Sequence, residues 1–172
     1  MSQIKVNSIV PSGGLPSGAN GGIIQTIYVQ KSDTFSSSNS SWIDIPGLTA
    51  TITPSSASNK ILVICHISGL NNSSTGSGTT LARNGSHIGL PQDGYGNRQN
   101  IMGNEFYRSR NDIFQTTAYS FLDSPATTSA VTYKVRLNPR GNSAYINRSA
   151  ADNNDSDFSR GTSDMLLMEI ST

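Results

Sequence analysis

Apolar and polar positions alternate with a period of two along much of this chain. The clearest stretch sets Val131, Tyr133, Val135 and Leu137 against Thr132, Lys134, Arg136 and Asn138, the pattern of a strand with one buried face. Leu48, Ala50 and Ile52 alternate with threonines in the same way, as do Thr117, Tyr119 and Phe121 with Ala118, Ser120 and Leu122. Residues 23–30, 42–45 and 144–147 read as further short strands. Two segments, 60–68 and 162–170, are apolar on both faces, which fits strands covered on both sides. The MLLMEI run near the C-terminus is therefore expected in the middle of a sheet.

Turn chemistry separates these segments. Asn84-Gly85 between two short apolar runs is the strongest hairpin signal, because both turn positions tolerate positive φ. Pro46-Gly47 reads as a tight turn closing a short strand, and Asp123-Ser124-Pro125 as another turn. Residues 31–41 lack periodicity, residues 71–79 read as a flexible linker by composition, and residues 148–159 form a polar loop. Nine or ten short strands without a helical pattern predict an all-β, jelly-roll-like β-sandwich over residues 23–172.

Before it, residues 1–22 form a different kind of segment. Ile4, Val6, Ile9 and Val10 make an apolar tip, and the PSGGLPSGANGG tract that follows forbids a helix. A twenty-residue extended arm spans on the order of 60–70 Å, a reach that suits a partner at its far end. Those four side chains are the expected anchor, by burial or by adding a strand to a partner's sheet edge.

Composition narrows the function. Of 172 residues, 34% are hydrophobic and only 13% charged, with a net charge of +1. The low charge excludes disorder driven by repulsion and removes the basic stripe of a general nucleic-acid binder. No N-terminal secretory pattern and no long apolar run occurs in the sequence, so synthesis in a cytoplasm without membrane insertion is expected.

Cys65 is the only cysteine. It sits in an apolar run and reads as a small buried hydrophobe. His66 reads as a satisfied or edge histidine in the same strand, and His87 as exposed after the hairpin turn. Neither stands beside a nucleophile-elbow glycine pattern, and no carboxylate pair is singled out for glycan cleavage, so no enzyme activity and no cofactor are expected. Asp152, Asn154 and Ser156 alternate as a calcium loop begins, but the sixth-position glycine and the twelfth-position glutamate are missing, so a solvated turn is expected rather than a metal site. Residues 90–112 concentrate bulky polar groups. Tyr95, Arg98, Tyr107 and Arg108 are the candidate contacts with a binding partner, or with a neighbouring subunit.

The opening SQIKVNSIVPSGGLPSGANGGIIQ resembles the start of small virion proteins of tailed bacteriophages, especially marine and cyanobacterial ones. There an I-x-V-x-S-I-x-P opening and a glycine-rich tract precede a strand beginning GIIQ. TPSSASNKILV, the RNG hairpin, AYSFLDSP, VTYKVRL, AYIN and MLLMEI resemble the C-terminal knobs of phage fibres, similar in arrangement to complement-type and tumour-necrosis-factor heads. The resemblance implies a homotrimer, built through the second faces carrying Leu62, Ile64, Leu166 and Met168. It also implies attachment to a tail or capsid protein through the arm, contact with a host glycan or protein, and a place in the virion. The separate N-terminal adaptor domain and long shaft of tail fibres are missing from this sequence, so a capsid decoration or cement protein is the alternative.

Overall fold

Where every second residue is apolar, two sheets can bury their apolar faces against each other, and this chain does so. The computed structural model describes residues 22–69, 71–72, 76–91, 97, 99–103 and 114–172. Among them are eleven strands and no helix: β1 (Ile23–Lys31), β2 (Phe35–Ser37), β3 (Ile43–Ile52), β4 (Lys60–Ser68), β5 (Asn71–Asn72), β6 (Gly78–Arg83), β7 (Ser86–Ile88), β8 (Thr116–Asp123), β9 (Val131–Asn138), β10 (Ala144–Ile146) and β11 (Ser163–Ile170). One four-stranded sheet has the order β1-β11-β4-β8 and the other β3-β9-β6-β7. The chain crosses repeatedly between them and every pairing is antiparallel, the arrangement of a jelly roll. A small third sheet, β2-β10-β5, closes one end.

The core lies between the two large sheets. β4 contributes Ile61, Val63, Cys65 and Ile67, and β11 contributes Met165 and Leu167. Opposite them stand Ala50 and Ile52 from β3 and Val131, Tyr133, Val135 and Leu137 from β9. Burial pushes the Cys65 thiol up to about 12, so it packs as an unionised side chain.

The ends of the sandwich differ. Gly22 and Ser171 meet at one end, where the Ser171 amide donates to the Gly22 carbonyl at 3.2 Å. The short connections 53–59, 84–85 and 124–130 lie there. β1 then runs about 30 Å to the opposite end, where the described residues 32–42, 69, 76–77, 89–91, 97, 99–103, 114–115 and 139–162 lie. The long described loop, residues 147–162, therefore lies at the end remote from Gly22.

Several expectations need correcting. Pro46-Gly47 does not end a strand: β3 continues through it as a bulge, the register shifting between Asp44 and Thr49. Gly47 supplies the positive φ of 84°, and the Lys31 stem packs beside it. A strand, β2, interrupts the loop expected at 31–41, and the linker expected at 71–79 contains β5 and the start of β6. β11 does lie in the middle of its sheet. However, β4 and β11 are covered by this chain on one face only, their outward residues being half-buried.

Candidate interaction surfaces

Strand register decides which side chains face outward together. On the β1-β11-β4-β8 sheet, Thr26, Met168, Leu62 and Leu122 form one cross-strand row, and Tyr28, Leu166, Ile64 and Ser120 the next. Tyr28 is 56% exposed and Leu122 48%, with Ile24 also exposed beside them. Leu62 and Ile64, more than a hundred positions before Leu166 and Met168 in sequence, are thus their neighbours on one outward surface. The following row is polar: Gln30, Asp164, His66 and Ala118. In it the His66 Nδ1 and Asp164 Oδ1 lie 3.0 Å apart, and His66 is a half-exposed, paired side chain on a central strand.

The outward face of the other sheet is of opposite character. Thr51 and Thr132 share a hydrogen bond of 2.8 Å. Lys134 donates to Asp44 at 2.6 Å and Arg136 lies 3.1 Å from the same carboxylate. The Lys134 hydrogen bond, with the nearby Arg136 charge, outweighs desolvation and holds the Asp44 carboxyl below the usual range. His87, expected to be exposed, is half-buried here. The two-residue turn brings β7 straight back onto β6, so His87 pairs with Ala82. It meets the edge of the Trp42 ring with centroids 5.0 Å apart, and its Nε2 lies 2.7 Å from Arg136 Nη1. Desolvation and the Arg136 charge both lower its pKa.

At the entry end, Arg83 reaches both Asp123 oxygens, at 2.8 and 2.9 Å, and the Tyr133 hydroxyl donates to the same carboxylate at 2.6 Å. Glu169 is fully buried nearby and accepts from Gln25, Ser55 and Asn59. These groups cross-link strands and are engaged with each other, which makes them structural.

No family model matches the chain, and no curated protein does.

The arm residues Ile4, Val6, Ile9 and Val10 lie outside the described residues, as do Tyr95, Arg98, Tyr107 and Arg108. The described flanks of that second segment are tied to the loop-bearing end. The Met102 and Gly103 amides donate to the Thr79 carbonyl at 2.9 and 3.1 Å, and Arg140 Nε donates to Gln99 at 3.0 Å. At the same end, the polar loop before β11 closes on itself. Arg148 and Arg160 form an antiparallel bridge, and both guanidinium groups bind Asp152. Of the residues with calcium-loop spacing, Asp152 and Ser156 are otherwise engaged: both Asp152 oxygens accept from arginine, and the Ser156 hydroxyl donates to Asp155, while Asn154 is exposed.

Proposed function

We propose that this chain is a structural virion protein of a tailed bacteriophage: a homotrimeric knob, attached through its N-terminal arm to a tail or capsid protein and presenting its loop-bearing end to the host surface. The observation that carries the trimer is the contrast between the two outward faces. One sheet offers threonines and ion pairs to water, and the other offers Tyr28, Leu62, Ile64, Leu122, Leu166 and Met168 in adjoining rows. Contiguous apolar surface of this kind marks an interaction site. Identical copies related by a closed rotation bury it on every subunit at once. The virion setting rests on the resemblance of the arm and strand motifs to phage fibre proteins.

The separation of the ends supports a division of labour. Gly22 lies at one end and the 147–162 loop at the other, so an arm anchored on a particle leaves that loop facing away from it. Burying Ile4, Val6, Ile9 and Val10 contributes about 6–10 kcal/mol, and ordering some ten flexible residues costs about as much. One arm therefore binds weakly, and three arms on one trimer bind by avidity.

Sedimentation of the purified protein at micromolar concentration tests the trimer, and a clean monomer overturns it. Removing residues 1–20 tests the anchor: the truncated protein should remain a folded trimer and no longer incorporate into particles. Normal incorporation would show that the arm is not the attachment. Imaging of the particle then separates a tail position from decoration of the capsid.

A further inference from the structure

The loop between β10 and β11 forms an open cleft of about 500 Å³, lined by Asp152, Asn153, Asn154, Asp155, Phe158 and Arg160. Its volume is that of a small-molecule cleft, yet such clefts are mostly apolar, and this one presents carboxylates, carboxamides and a guanidinium around a single aromatic ring. Its base is braced. The Ser149 amide donates to the Ser159 carbonyl at 3.3 Å. Asp152 accepts from Arg160 at 2.6 and 2.9 Å and from Arg148 at 3.2 Å. The Arg148 guanidinium in turn lies 4.4 Å from the centre of the Tyr145 ring. Walls held in place before a ligand arrives lose little freedom on binding.

We propose that this cavity is a binding site for a neutral saccharide. A sugar ring carries hydroxyl groups, each needing a donor and an acceptor, on its rim, and a C–H face above and below. Asn153 and Asn154 are exposed, have no side-chain hydrogen bond among the described residues, and each offers both donor and acceptor atoms. Asp155 adds an acceptor and Arg160, 68% exposed, adds donors. Phe158 supplies the apolar face on which a ring stacks. The charges argue against other ligand classes. The Asp152 and Asp155 carboxylates balance the Arg148 and Arg160 guanidiniums, so these four charges sum to zero and favour neither an anion nor a cation. The site gives a place and a ligand class to the host contact proposed above, and rests on that reading only for where the sugar comes from.

The test uses the full-length protein in amide-resolved NMR. The probes are glucose, galactose, mannose, N-acetylglucosamine and their β1→4-linked dimers at millimolar concentration, with sialyllactose as the anionic control. At least one neutral sugar should shift the signals of Asn153, Asn154, Phe158 and Arg160, and sialyllactose should not. Phe158→Ala should weaken that binding about tenfold. Asn154→Ala, at a fully surface position, provides a second variant if the first melts early. The same sugars immobilised on a surface distinguish the sources. Retention there at high dilution identifies a multivalent cell-surface polymer, and binding of the free sugar alone identifies a soluble one. No perturbation by any neutral sugar, shifts confined to residues outside 148–160, or equal binding of sialyllactose would overturn the site. Each of those results leaves the sedimentation and arm-deletion outcomes untouched, so the failure of this inference and of the trimeric knob are read separately.

Discussion

Glu169 brings a carboxylate into the interior, and its partners decide how the protein responds to acid. Burial alone pushes its pKa upward, but hydrogen bonds from Asn59, Gln25 and Ser55 outweigh that and hold it at about 2. The folded value lies below the unfolded one, near 4.3. The resulting stabilisation is therefore fully present above that pH and is lost as pH falls towards 2. By linkage it is on the order of 3 kcal/mol. Glu169→Gln turns an amide donor towards Asn59, Gln25 and Ser55 and should cost about 2–3 kcal/mol at neutral pH. Urea midpoints of the two proteins should converge towards pH 2, and parallel acid limbs would assign the acid sensitivity elsewhere.

Asn147 makes the same point with a neutral group. Its Nδ2 donates to the Lys31 and Asp33 carbonyls at 2.8 and 2.9 Å, its Oδ1 accepts from the Ser163 hydroxyl at 2.6 Å, and its φ is 63°. Asn147→Gly keeps the backbone freedom and removes only the side-chain bonds, so it should cost about 2–3 kcal/mol. Asn147→Ala adds the strain of positive φ and should cost about 1 kcal/mol more. Equal thermal stability of the two variants would show that φ contributes nothing at this position. The buried role of Cys65 was legible from its apolar neighbours. That of Asn147 was not, because its partners come from the end of β1, the connection after it and β11, and no local pattern in AYIN announces them.

At the level of elements, period-two alternation located the long strands well because each has one face in the core. It failed where the backbone departs from regular pairing. The bulge at Pro46-Gly47 looks like a turn to any local reading, and only the continued pairing of β3 with β9 on both sides shows that the strand goes on. β5 and the start of β6 were hidden by small polar residues whose strand conformation is imposed by their neighbours. The polar loop 148–159 was read correctly as a loop, but its brace was invisible, since Arg148 and Arg160 meet Asp152 only after the chain folds back. Asp152→Ala should release that brace. Hydrogen exchange at residues 149–159 should then speed up, with the melting temperature hardly changed, since ion pairs at the surface contribute little to stability. Unchanged exchange would mean that backbone bonds alone hold the loop.

For the whole molecule, the sequence marked Leu62, Ile64, Leu166 and Met168 as apolar on strands already apolar on their other face. Their alignment into one surface with Tyr28 and Leu122 needed the sheet order, which depends on crossovers between distant segments. The same alignment gives the sharpest test of assembly. Ile64 sits between Leu166 and Ser120 on the outward face and is half-buried in the single chain, so an isolated subunit accommodates Ile64→Lys with its ammonium in water. In a trimer closed on this face, three ammonium groups enter an apolar contact without partners, at a cost of several kcal/mol each. Ile64→Lys should therefore sediment as a folded monomer with its β-sheet circular dichroism intact. Thr132→Lys, on the polar outward face of the other sheet, should leave the trimer unchanged. A trimeric Ile64→Lys protein would place the contact on another surface, and a dissociated Thr132→Lys protein would place it on the polar sheet.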